Sequence, residues 1–179
     1  MRIPSPASSV DAVEYLDVVD AQDRPLAVLP YAEVHRQSLM HRSVLVLVYQ
    51  ASGKLYLQKR AKNKSLYPGR WDLSATGHVR AGESREDAAC RELEEELGIT
   101  GPRLTVRHTI PASPATNHEH VTLYAAGVVS QPPRPNPDEL EGGMFVDSDE
   151  LDYLAEHFRD MLTPGLVYFW EKGMLFEPL

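Results

Sequence analysis

The chain has 179 residues, 42% hydrophobic and 25% charged, with a formal net charge of −8 at pH 7. The composition is globular, the length suits a single domain over 1–179, and the negative balance argues against nucleic acid or an anionic membrane as a partner while leaving room for a small phosphorylated substrate held by local cations. No apolar run is long enough to cross a membrane, Met1 to Val10 lack the apolar stretch of a signal peptide, and a lone cysteine, Cys90, makes neither a disulfide nor a cysteine zinc site, which suits a reducing, cytoplasmic home.

In chain order, apolar segments at 12–18 and 26–29 flank Asp20 to Pro25 and predict an N-terminal β-hairpin over about 12–30. A short helix or turn covers 31–37. Val44 to Tyr49 is a near-continuous β-branched run, followed by the Gly-containing turn at 50–54 and a second strand, Leu55 to Arg60. Asn63 to Trp71, with Pro68-Gly69, reads as loop. Residues 84–97 are the clearest helix: Ser84 caps it with Asp87 in the capping-box position, Ala89, Leu93 and Leu97 form its apolar stripe, and Gly98 stops it. Strands follow at 103–110 and 120–129, then a proline-rich loop at 132–137, a short strand at 144–146, and helices over 147–158 and 164–170 within about 147–173. This order predicts an α/β (α+β) sandwich of a mixed sheet between helices.

The helix at 84–97 carries the chemistry. At ~100° per residue, Glu92, Glu95 and Glu96 share one edge, beside the apolar stripe. Like charges at these spacings repel, and a divalent cation reverses the sign. Carboxylate oxygens are the ligands Mg²⁺ prefers. Taken alone, a Glu-rich face is usually only a solvated one.

Here it does not stand alone. Gly77, Glu83, Arg91, Glu92, Leu93, Glu95, Glu96, Gly98 and Ile99 match every fixed position of the Nudix box, Gly-x5-Glu-x7-Arg-Glu-(aliphatic)-x-Glu-Glu-x-Gly-(aliphatic). The chain therefore resembles the Nudix hydrolases. The resemblance implies the Nudix fold, with the box as a loop–helix–loop over the sheet at 77–99. It implies that Glu92, Glu95 and Glu96 bind Mg²⁺, with Mn²⁺ an acceptable substitute. Glu83, Arg91 and Gly77 would support them from behind. The implied reaction is attack of water on phosphorus in a nucleoside diphosphate-type (NDP-X) substrate. Glu96, Glu95 or Glu139 would be the catalytic carboxylate, Glu96 being favoured as general base and Glu139 its rival.

A narrower resemblance covers most of the chain. His41 to Val46, Arg60-Ala-Lys-Asn-Lys64, Pro68-Gly-Arg-Trp71 and Gly77-His78 are similar to the isopentenyl-diphosphate isomerase branch. It implies that Arg60 and Lys64 grip the substrate diphosphate. The isomerase also keeps a histidine metal site near His35, His41 and His78. At this stage a satisfied structural histidine is as good a reading of His41. His118 and His120 stand where the isomerase has glutamates, so they replace ligands rather than copy them; Glu119, which alternation points opposite to them, can still reach the site. Thr76 stands where the isomerase has its cysteine, and Cys90 cannot replace it. The isomerase also lacks the full run of box acids, which is complete here, and both departures favour hydrolysis over the alternatives, an isomerase or a non-catalytic Nudix-fold binding module. Pro114 lies near a proline of ADP-ribose-cleaving members. Tyr67, Trp71, Tyr124 and Trp170 are candidates to stack on a base. Dimers are common among relatives, so a homodimer is compatible with the sequence.

Overall fold

The computed structural model describes residues 13–129 and 131–177. The hairpin comes first: β1 (Tyr15–Val19) pairs antiparallel with β2 (Pro25–Pro30), Leu16 opposite Leu29. Its turn is held by the Asp20 carboxylate, which accepts from the backbone N–H of Gln22 and of Arg24, both at 2.9 Å. That is an Asx-type substitute for a backbone turn. Ala12, the expected first residue of the hairpin, lies outside the described residues. Leu16 and Val18 pack against Val34 of α1 (Tyr31–Arg36).

β3 (His41–Tyr49) is the centre of the molecule. Its alternate side chains serve two cores, as a strand buried on both faces must. Val44, Val46 and Val48 join Leu93 and Leu97 of α2 (Arg85–Leu97), while Leu47 and Tyr49 face Leu151, Leu166 and Phe169. The latter belong to α3 (Ser148–His157) and α4 (Pro164–Glu171). Full burial of a leucine is worth about 2 kcal/mol, so Leu93 and Leu97 anchor α2 firmly. The expected mixed sheet between helices is therefore present.

The remaining strands are β4 (Leu55–Arg60), β5 (Trp71–Asp72), β6 (Ala75–His78), β7 (Thr105–Ile110), β8 (Glu119–Val128) and β9 (Leu140–Val146). β8 runs parallel to β3 with Val44 opposite Thr122, and β6 runs antiparallel to β3 with Val44 opposite Gly77. β4 pairs with β5 and β9. β3 and β4 meet only at Tyr49 and Leu55, so the sheet splays from there. β5 and β6 were not expected: they are too short for a periodicity to register, and β5 begins at Trp71, the last residue read as loop.

Candidate active site

A cleft of about 400 Å³ opens in the splayed end of the sheet. α2 forms one wall. Ser84 Oγ accepts from Asp87 N at 3.1 Å, while the Asp87 carboxylate accepts the hydroxyl's own hydrogen at 2.7 Å. Gly98, at φ 64°, closes the helix in the left-handed region that favours glycine.

Arg91 organises the acids on this wall. Its guanidinium forks onto Glu83, Nε to Oε1 at 2.8 Å and Nη2 to Oε2 at 3.0 Å. It also donates to Glu92 at 2.5 Å, to Glu95 at 3.2 Å and to the backbone carbonyl of His78 at 3.0 Å. Burial works to raise the Glu83 carboxyl, but the Arg91 fork outweighs it and the net shift is downward. Five donors in a fixed plane suit this role, which lysine could not fill.

Glu96 is not on a solvated edge, as its neighbours in sequence suggested; it is 4% exposed. Its Oε2 accepts from Gln58 Nε2 at 2.8 Å and from Thr76 N at 2.9 Å. Burial, and then the nearby Glu92, push its carboxyl up to about 8. Burial likewise raises Glu92. Gly77 is the reason Glu92 fits: a Cβ on residue 77 would lie 2.0 Å from Glu92 Cδ and Oε1. Glu95 lines the same cleft with its side chain 48% exposed.

Arg60 and Lys64 also line the cleft, as does Glu139. Arg60 Nη1 stands 3.5 Å from Asp72 Oδ2 and its Nε donates to Leu66 O at 3.1 Å. Lys64 is ion-paired with Glu139. Burial lowers the Lys64 ammonium, though the Glu96 and Glu92 charges act against that.

The histidines converge more tightly than the sequence indicated. Ligand nitrogens of His35, His41 and His78 lie within 4.8 Å of one another. His41 Nδ1 donates to Leu39 O at 2.8 Å, which leaves His41 Nε2 buried and without a partner. His35 Nε2 and His78 Nε2 are 3.2 Å apart. Burial, and then the other two histidines, press His35 down to about 4. Glu119 Oε1 sits 3.7 Å from His78 Nε2 and 3.8 Å from His41 Nε2, ion-pair distances rather than hydrogen bonds. Burial raises the Glu119 carboxyl, but His78 outweighs it and draws it down to about 2.

On β8 the side chains alternate as expected, and Glu119 faces the cleft. His120 turns to the other side and contacts Asp20 O at 3.0 Å. His118 sits at φ 63° just before β8 begins and does not line the cleft. Asn117 and His118, both at positive φ, lead into the strand. Of the candidate stacking residues only Tyr67 lines the cleft. Tyr124 is buried, Trp71 packs on the core and Trp170 donates to Asp152 at 2.7 Å. Pro114 opens a 3₁₀ turn, Pro114–Thr116, whose Ala115 and Thr116, not Pro114, reach the cleft. Cys90 is partly buried on α2, away from Thr76's position on β6.

Known proteins resemble this chain in sequence and fold. The NUDIX domain family profile matches residues 39–164. An uncharacterised Nudix hydrolase of Pseudomonas aeruginosa is 50% identical over 133 residues, 74% of this chain and 78% of that one. An isopentenyl-diphosphate Delta-isomerase of Photorhabdus laumondii is 32% identical over 154 residues, covering 84% and 86%. A crystal structure from Deinococcus radiodurans superposes with a TM-score of 0.76 at 25% identity, over 89% of this chain and 98% of the other.

Proposed function

The chain belongs to the Nudix family, and from that premise we propose that it is a Mg²⁺-dependent hydrolase cleaving the diphosphate linkage of a small NDP-X-type substrate with water. The observation that carries this reading is Glu96. Its Oε2 is pinned by Gln58 and Thr76, and among the described residues no donor is recorded on Oε1. A carboxylate held on one oxygen and free on the other suits a general base or a cation ligand.

Glu92, Glu95 and Glu96 would hold the cation, and Mn²⁺ would serve in its place. The cradle at Gly77, which only a missing Cβ leaves open to Glu92, supports that fit. Bound there, the metal supplies an acidified water and charge neutralisation on the phosphates. The chain supplies the rest. Arg60 and Lys64 bind phosphate oxygens, the first as a fork and the second as a point charge. Arg91, braced by Glu83, orients Glu92 and Glu95. Glu96 accepts the proton of the attacking water. Glu139 is the poorer candidate, being already paired with Lys64.

One observation favours a second reading. Glu119 and Thr76 line the same cleft, and relatives carry isomerase names. Isomerisation of an isopentenyl group needs an acid and a base on opposite faces of an allylic carbon. A threonine hydroxyl is far weaker as an acid than a thiol, whose ordinary pKa is ~8.5. Turnover in ¹⁸O-water should put label into a phosphate-bearing product and stop in EDTA. Conversion of isopentenyl diphosphate to its allylic isomer by the purified protein, or full turnover in EDTA, would overturn the hydrolase reading.

A further inference from the structure

The cleft does not end at the diphosphate cations. A second groove of about 380 Å³ shares Ala115, Pro164 and Tyr168 with it, so the two spaces adjoin. Arg70 lines only the second. The backbone ties Arg70 to Arg60, whose N–H donates to Arg70 O at 2.9 Å. Neighbouring residues of one ladder thus offer a guanidinium to each space.

The charge state of these cations differs. Arg60 has Asp72 at 3.5 Å, Lys64 has Glu139, and Arg80 has Glu14 at 3.6 Å and Glu95 at 3.7 Å. In the second groove Arg159 is paired with Glu171. Arg70 has no carboxylate partner among the described residues. One nitrogen donates to Leu162 O at 3.2 Å, and the guanidinium carbon lies 5.6 Å from the centre of the Tyr67 ring. Tyr67 itself is held at φ 51°, 40% exposed. A bulky residue in the left-handed region costs about 1–3 kcal/mol and is typical of binding loops. The turn therefore holds a partly buried, unneutralised cation and an aromatic face at the junction of the two spaces.

We propose that the groove beyond Arg70 is a subsite for an anionic group, a phosphate or a carboxylate, on the distal half of the substrate. The proposal rests on the hydrolase reading for the placing of the diphosphate. The anion would take the guanidinium nitrogens left over from Leu162, in the planar pairing that arginine favours. Tyr67, which lines the first space, and Tyr168, which lines both, would flank the connecting portion.

The test uses matched pairs that differ only in one distal anion: NADH and NADPH, dephospho-coenzyme A and coenzyme A, UDP-glucose and UDP-glucuronate. Turnover with Mg²⁺ should favour the anionic member of at least one pair by about tenfold in kcat/KM, the scale of one charge-assisted contact. A phosphate pair or the carboxylate pair then identifies the group. Arg70→Gln should collapse that ratio to near one, and Arg70→Lys should keep part of it. The same pairs titrated calorimetrically against the intact protein give the ratio as affinities. If no compound is hydrolysed but the affinity ratio is present and needs Arg70, the hydrolase reading fails and the subsite stands. Ratios near one for every pair in the wild type, or a ratio that survives Arg70→Gln, would overturn the subsite.

Discussion

Replacing Glu96 with Gln should stabilise the metal-free protein while disabling it, and the stabilisation should grow with pH. Burial beside Glu92 lifts the Glu96 carboxyl from 4.5 to about 8. The folded chain then keeps a proton that the unfolded chain gives up, so between pH 4.5 and about 8 the fold loses stability as pH rises. Each pH unit is worth about 1.4 kcal/mol, and the whole window is of order 5 kcal/mol. Gln keeps an oxygen to accept from Gln58 and Thr76 and removes the charge. His35, pressed down to about 4, and the upward-shifted His78 titrate over part of the same range. They are present in both proteins, so the difference between the two reports Glu96 together with its coupling to Glu92. Urea unfolding in EDTA should show the variant no more stable than wild type near pH 5 and several kcal/mol more stable above pH 8. Saturating Mg²⁺ should narrow the gap by stabilising only the wild type strongly. Turnover should fall at least about a hundredfold, the scale of losing a general base or a key charge. A stability difference that is flat with pH in EDTA would refute the argument.

Gly77→Ala places a Cβ 2.0 Å from Glu92 Oε1; the overpacking should cost about 1–3 kcal/mol and, by displacing Glu92, at least about tenfold in Mg²⁺ affinity. An unchanged melting temperature and Mg²⁺ titration would show that Glu92 has another place to go. Arg60→Ala and Lys64→Ala should chiefly raise KM, because substrate and transition state both feel the lost charge; an unchanged KM in both, for every substrate, would make them mere surface. Asp72 links Arg60 to Thr163, whose hydroxyl donates to Asp72 Oδ1 at 2.7 Å, so Asp72→Asn should raise KM several-fold with a smaller effect on kcat, and an equal fall in kcat at constant KM would refute a positioning role. Elemental analysis should find a tightly held transition-metal ion or Zn²⁺ that His35→Ala loses, since His41 Nε2 is buried with no partner; a metal content unaffected by that change would mean the trio binds none.

The sequence made some parts legible and hid others for physical reasons. β3 and α2 announce themselves because each buries a long apolar set at its own period, and Ser84 and Gly98 mark the helix ends with side chains and backbone freedom that only those positions need. The acid set was legible because its spacing on a helix is fixed. What was not legible is tertiary. The burial of Glu96 depends on Gln58 from β4 and Thr76 from β6, 38 and 20 residues away. The meeting of Glu119 with His78 and His41 brings β8 against β6 and β3, with partners 41 and 78 positions away from it in the chain. The histidine trio draws on α1, β3 and β6 at once, and no single-strand pattern reports such a meeting.

The four residues of β6, Ala75–His78, connect these parts. Thr76 uses its backbone N–H to hold Glu96, Gly77 gives up a side chain to seat Glu92, and His78 lends its carbonyl to Arg91 while its ring joins the histidines. The acid wall and the histidine trio are therefore not independent sites on one scaffold. A shift of β6 toward α2 tightens Glu92 and Glu96 and at the same time moves the His78 ring relative to His35 and Glu119. Residue 76 lines the same cleft as Glu119, and its backbone is already committed to Glu96. A thiol there would add an acid to that cleft; the hydroxyl of Thr76 does not, and the acids of α2, all retained, are left as the chemistry this strand organises.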